Sequence, residues 1–232
     1  MTQDDKISRL FARSVSKHQT PKHEYHPTAV YEDIMTFGLP WLELDIDIPY
    51  QLIHKEINNV KSLIVPHRTQ YNANNGWGSF CIHGKSFDST QHSPTDTRPF
   101  IWTPEAEEHM PDTVDFFKNV WPCSDYDRLR VMLLEPGASI EVHKDRDISL
   151  LNEVNIAITQ PNNCNFYMEH HGIIPFTVGK AFILDISNRH CVINDSDENR
   201  YHIIIHQNEI SQDFKKLVEK SYHRVYNNNI IT

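Results

Sequence analysis

Three residues of this chain have the types and spacing to share one divalent metal: His143 and Asp145, separated only by Lys144, and His190 further along. Two imidazoles and one carboxylate gathered on one face of a metal leave its other face open. That 2-His-1-carboxylate arrangement is the one non-haem iron oxygenases use. Ten residues beyond His190 stands Arg200, whose planar guanidinium is a natural fork for the carboxylate of a bound co-substrate. Together these residues point to oxygen-activating chemistry.

A lone His-x-Asp is weak, because a chain of 232 residues with 15 histidines yields such a match by chance. A second motif of the kind, His54-Lys55-Glu56, falls where the apolar spacing is helical. The setting of His143 is different. It follows a strand-like segment and a Pro136-Gly137 turn, and alternation across a strand turns His143 and Asp145 to the same side. His190 opens a later strand-like segment, far enough along for intervening strands to cross and return. Arg200 shares its strand parity with His202, Ile204 and His206, the two histidines being expected as partly buried core residues. Arg128 and Arg130 share one face of another segment. An arginine turned inward there is costly to bury without an anion, and a carboxylate ligand would supply one.

The elements that must carry these residues are legible in outline. Pro49–Ile64 has helical apolar spacing and is ended by Pro66. Trp77–His83 reads as a strand after a turn-forming Asn72–Gly76. Residues 85–103 read as an exposed Ser/Thr/Asp/Pro-rich loop with the composition of a lid. Thr103-Pro104-Glu105 opens a helix that runs toward Val120 with a break at Pro111. From Arg128 short β segments follow one another: Arg128–Glu135, Ile140–His143, Glu153–Gln160, Asn165–His170, Phe176–Ile186, His190–Asn194 and Tyr201–Gln207. Such spacing predicts a β sandwich or barrel. Ile210–Lys220 reads as a surface helix.

Composition narrows the class. Apolar content of 39% supports a real core, and a net charge of −9 argues against nucleic acid or an anionic membrane surface as partner. The four cysteines show no Cys-x-x-Cys spacing and read as free thiols of a reducing compartment. Residues 1–27 are a polar extension without the apolar stretch of a secretory signal, and no run is long enough to span a bilayer. A soluble, cytoplasmic protein is expected. Nothing in the sequence signals its oligomeric state.

Three stretches carry a resemblance: Arg128-Leu-Arg130 with Glu135-Pro-Gly-Ala-Ser-Ile-Glu-Val-His143-Lys-Asp145; Leu184-Asp185-Ile-Ser187-Asn-Arg-His190-Cys-Val-Ile-Asn194; and Arg200. Over roughly residues 75–207 the chain resembles the aspartyl/asparaginyl β-hydroxylase family of 2-oxoglutarate-dependent oxygenases, on the side of its proline cis-hydroxylase-like branch, since Asp145 is present. The resemblance implies a mainly β fold with flanking helices, a double-stranded β-helix of the jelly-roll or cupin-like barrel kind. A single oxygenase domain would occupy 28–207, its barrel core about 75–207, followed by a helix and tail over 208–232. It implies Fe(II) held by His143, Asp145 and His190, and 2-oxoglutarate with its distal carboxylate on Arg200. Arg130 would meet a carboxylate of co-substrate or substrate, and Asp185 and Asn194 would support the metal-bearing strand. The activity implied is hydroxylation by O2 of an unactivated C–H bond in an amino acid, peptide or protein side chain, with succinate and CO2 released.

One departure bears on substrate. Where family members often carry Arg-x-His after the first metal histidine, this chain has Glu153-Val-Asn155. Glu153 suits a cationic or amide-bearing substrate better than a carboxylate. Two rival readings remain open: a cupin-like metal-dependent isomerase or hydrolase, and a non-catalytic metal-binding module. Neither accounts for Arg200 as directly.

Overall fold

Alternation along one strand, Arg200–Gln207, explains how the molecule is layered. Tyr201, Ile203 and Ile205 are buried on one side of it, in an apolar cluster shared with the helices. Arg200, His202, Ile204 and His206 take the other side, as period-two geometry requires. The neighbouring strands repeat the pattern. Leu129 and Val131 face the helices while Arg130 and Met132 face away, and Val154 and Ile156 alternate with Glu153 and Asn155.

The computed structural model describes residues 21–67, 76–90 and 95–228. The expectations for residues 1–20, for most of the Asn72–Gly76 turn and for the middle of the 85–103 loop lie outside these. In chain order the elements are α1 (Tyr31–Thr36), β1 (Trp41–Leu44), α2 (Tyr50–Val60), β2 (Val65–Pro66), β3 (Trp77–Gly84), β4 (Ile101–Trp102), α3 (Pro104–His109) and α4 (Pro111–Asn119). There follow β5 (Tyr126–Leu134), β6 (Ser139–His143), β7 (Glu153–Ala157), β8 (Cys164–Met168), β9 (Gly172–Ile173), β10 (Ala181–Leu184), β11 (His190–Asn194), β12 (Arg200–Gln207) and α5 (Gln212–Asn228).

The expected double-stranded β-helix is not what these strands form. They divide into two separate sheets, one ordered β1-β10-β7-β12-β5-β3-β2 with β4 on β3, the other β6-β11-β8-β9. Among the described residues no strand ladder joins the sheets, so they lie open rather than closed into a barrel. With helices packed on the outer face of the larger sheet, the fold is mixed α/β. The sequence signal behind the expectation, short alternating strands, is the same for a closed barrel and for two open sheets, because only edge pairing differs.

Two apolar layers hold the assembly together. Helices and larger sheet share the main core, with Ile53, Ile57 and Phe117 fully buried. Between the sheets Leu134, Ile140, Phe166, Phe176, Phe182, Leu184 and Val192 form a second core. Each such side chain contributes about 1.5–3 kcal/mol on burial. Asn194 ties the sheets at one point: from β11 its Nδ2 donates to Leu134 O at 2.9 Å, at the end of β5, and also to the carbonyls of Glu135 and Glu198.

Several expectations shift in extent. The helix at 49–64 ends at Val60 and closes with a 3-10 turn. The break at Pro111 is real, separating α3 from α4, with Thr103 Oγ1 accepting from the Ala106 amide as cap. The strand expected from Phe176 begins only at Ala181, because Gly179 turns the chain at φ +78° with the Tyr50 ring where a Cβ would sit. α5 is longer than expected and is no surface helix: Phe214, Val218 and Tyr222 form a fully buried stripe at helical spacing. All four cysteines are free and buried. Among the described residues no helix is long and apolar enough to cross a membrane.

Candidate metal centre

β6 and β11 are neighbours in the smaller sheet, and His143 ending one is the direct register partner of His190 opening the other. Their rings stand 4.3 Å apart. Asp145 lies just past the end of β6, where its amide donates to Ile186 O at 3.1 Å and so pins the turn to the approach of β11. Asp145 Oδ2 is 3.6 Å from Nε2 of each histidine. One ligand atom from each of the three lies within 4.8 Å of the others, the grouping a single metal ion needs.

The ring orientations suit that use. His143 Nδ1 is 2.7 Å from Glu141 O, and His190 Nδ1 is 2.8 Å from Asn188 O. A carbonyl oxygen only accepts, so each Nδ1 carries a proton, and each Nε2 is the nitrogen turned toward Asp145 and available to a metal. Burial, and next the neighbouring His143, lower His190 to about 4, leaving it neutral. The Phe166 ring stacks on it at 5.1 Å. Behind it Asp185 organises the turn entering β11. The carboxylate accepts from the Ser187 amide at 3.0 Å, the Ser187 hydroxyl at 2.6 Å and the Ser149 hydroxyl.

The triad opens on a cavity of about 490 Å³ between the sheets, which Arg200, Arg130, Glu153 and His206 also line. Both arginines singled out in the sequence are thus brought to the cavity, each 4% exposed. Arg200 Nη2 donates to His202 Nδ1 at 2.8 Å, its Nε is buried without a hydrogen-bond partner, and no carboxylate of the described residues pairs with it. Burial lowers Arg200 to about 10. An anion with two acceptor oxygens fits a guanidinium left in that state. Arg130 donates to Thr90 O at 3.3 Å and approaches His206 Nε2 at 3.4 Å.

Of the two histidines expected as core residues, His206 lines this cavity, while His202 is buried behind Arg200. His202, fully buried, meets Arg200, Asn155 and Gln160, while His206 stands between Arg130 and Glu153. Parity with Arg200 was the available signal for both. Glu153 is pushed up to about 7, chiefly by burial and then by the Asp145 carboxylate. The competing motif at His54 is no site. On α2 its two ends do not face each other, and Glu56 instead caps α4, accepting from the amides of Asp112 and Thr113.

A family model described as aspartyl/asparaginyl beta-hydroxylase matches residues 49–209, the span that carries the triad and both arginines. No curated protein matches the sequence. Among solved structures the chain is similar to an oxidoreductase of the 2OG-Fe(II) oxygenase family from Burkholderia pseudomallei, at 11% identity over 83% of this chain and 95% of that one, TM-score 0.47. A Pseudomonas putida prolyl-4-hydroxylase matches at 16% identity over 78% and 99% of the two chains, TM-score 0.46. A viral collagen prolyl hydroxylase from Paramecium bursaria Chlorella virus-1 matches at 12% identity over 73% and 96%, TM-score 0.43.

Proposed function

The chain belongs to the aspartyl/asparaginyl β-hydroxylase family, and from that premise we propose that it is an Fe(II)- and 2-oxoglutarate-dependent dioxygenase hydroxylating an unactivated C–H bond of an amino acid, peptide or protein side chain. The observation that carries the reading is one cavity holding both a preset His143–Asp145–His190 triad and a buried Arg200 that has no anionic partner among the described residues.

The donor set fits the group. Two imidazoles whose Nδ1 groups are held by carbonyls and one carboxylate are what ferrous iron takes on one face, and Arg200 fits a carboxylate of 2-oxoglutarate. Bound there, iron and 2-oxoglutarate supply the oxidising power that breaks the C–H bond, with succinate and CO2 as co-products.

The chain's own residues do the rest. Glu141 O and Asn188 O keep the two Nε2 atoms aimed inward without rearrangement. Phe166 and Ile186 wall the triad with apolar surface and limit water beside it. Arg200 anchors the co-substrate at one end of the cavity, held by His202, which Gln160 in turn orients from its Nε2 side at 3.0 Å. Arg130 and Glu153 face the remaining space, where a substrate would lie.

The test is anaerobic addition of Fe(II) and 2-oxoglutarate to metal-free protein, watched for the weak visible metal-to-ligand charge-transfer band. The band should form in the wild type and be absent in His143→Ala and Arg200→Ala. Tight metal binding with no band in the wild type overturns the oxygenase reading.

A further inference from the structure

The wall of the cavity is laid out in rows by strand register. Arg200 pairs with Leu134 across β12 and β5; further along come His202 with Met132, Ile204 with Arg130, and His206 with Arg128. On the other side of β12, Ile204 is opposite Asn155, and Glu153 continues the row of His206. The end remote from Arg200 is therefore the mixed-charge end.

Three carboxylates line the cavity: Asp127, Asp145 and Glu153. Asp145 belongs to the triad, and Asp127 accepts from Arg128 Nε at 3.3 Å. Glu153 is different. It is only 8% exposed, and its one side-chain partner among the described residues is His206 Nε2, at 3.4 Å. Arg130 Nη2 approaches the same nitrogen, also at 3.4 Å. A single imidazole nitrogen either accepts from Arg130 or donates to Glu153. When it accepts, the buried carboxylate has no donor, a state that a bound cation relieves.

We propose that Glu153 selects the substrate of this site by receiving a protonated nitrogen, an ammonium or guanidinium group, and so sets which C–H bonds lie toward His143, Asp145 and His190. The inference rests on the oxygenase reading for what the site does, but the recognition itself stands on the wall alone. Because Arg130 and Glu153 both reach one His206 nitrogen, their charged ends lie within about 7 Å of each other. A carboxylate or carbonyl on the same ligand can therefore meet Arg130 while the cation rests on Glu153.

The experiment is anaerobic calorimetry on protein loaded with Fe(II) and 2-oxoglutarate. The probes are n-butylamine, putrescine and the standard α-amino acids other than arginine, each set against its fully N-acetylated counterpart. At least one amine should bind, its acetylated counterpart should bind at least tenfold more weakly, and Glu153→Gln should weaken the amine at least tenfold with the charge-transfer band intact. Glu153→Asp, which keeps the charge, should retain part of the affinity. Binding unchanged in Glu153→Gln, equal binding of acetylated probes, or no binding by any amine each overturns the proposal. Should the band never form, it is the co-substrate reading that falls, and the same comparison on the metal-free protein still decides Glu153.

Discussion

Arg200 and His202, two positions apart on β12, are joined by a hydrogen bond of 2.8 Å from Nη2 to Nδ1. For the ring to accept there, its proton must sit on Nε2, which donates to Gln160 Oε1 at 3.0 Å. Asn155 Oδ1 lies 2.5 Å from the same Nδ1, so both contacts hold together only with that amide turned over, its NH2 toward the ring. Burial, and next the Arg200 charge, hold His202 well below the usual imidazole range. The histidine thus fixes the guanidinium without neutralising it, and the positive charge is left for a ligand. Arg200→Ala should weaken 2-oxoglutarate by ~2–4 kcal/mol, about 30- to 1,000-fold. Arg200→Lys should recover only part of this, because an ammonium lacks the two-pronged fork. Titrating the charge-transfer band with 2-oxoglutarate measures both; equal affinity in Arg200→Ala would sink the assignment.

Metal should stabilise the fold by mass action. With Mn(II) or Co(II) at a hundred times its Kd, the native state gains about 2.7 kcal/mol, and a chelator should return the melting curve to that of the metal-free protein. His190→Ala, which removes one of three ligand atoms, should melt at the same temperature with and without metal. A full metal-induced shift in that variant would place the ion elsewhere.

Much of this site was legible because its signals are local. His143 and Asp145 flank one residue at a strand end, and parity alone turns them together. Proline and turn residues likewise marked the break between α3 and α4. What the sequence did not carry was sheet closure, which depends on which edges meet, and the contacts made across strands. Glu153 and Arg130 sit on β7 and β5 with β12 between them, and only the register shows that both reach His206. β1 also went unrecognised. Its four residues, Trp41–Leu44, are too short for a periodic signal and gain their strand character by pairing with β10.

Asn194 is the polar clasp between the sheets. It is fully buried, and its one amide serves the carbonyls of Leu134, Glu135 and Glu198 while its oxygen accepts from the Ser196 amide at 3.2 Å. Asn194→Ala leaves these groups without their partner, and buried unsatisfied groups cost about 1–3 kcal/mol each. A loss of roughly 3 kcal/mol in urea unfolding is expected, since water can reach part of the Glu198 turn. Asn194→Asp should also destabilise, because a carboxylate cannot donate to the three carbonyls. A change within experimental error for Asn194→Ala would show that the apolar layer alone fixes the sheets.

Glu153 and His190 act on stability with opposite signs. Glu153, pushed up to about 7 from an ordinary 4.5, is protonated in the native state over a range where the unfolded chain is ionised. It therefore costs stability above pH 7, and that cost fades as pH falls from 7 to 4.5. His190, lowered to about 4 from 6.5, stays neutral in the native state while the unfolded chain takes up a proton. Its stability is fully present above pH 6.5 and is lost as pH falls toward 4. Each effect amounts to roughly 3 kcal/mol, so in metal-free wild type these two offset between pH 4.5 and 6.5, leaving the other lowered histidines, His83, His171 and His202 among them, to draw stability down as pH falls. Glu153→Gln removes one side of the balance. The variant should be more stable than wild type at pH 8 by up to roughly 3 kcal/mol, and should lose stability more steeply between pH 6.5 and 4.5. Urea denaturation of chelator-treated proteins at pH 8, 6.5 and 5 reads both. A variant less stable at pH 8 would mean that the carboxylate is already well paired in the empty cavity, and its retention would need no ligand to explain it. The expected gain would instead mark Glu153 as a residue kept at a cost to the fold, as buried charges at binding sites are.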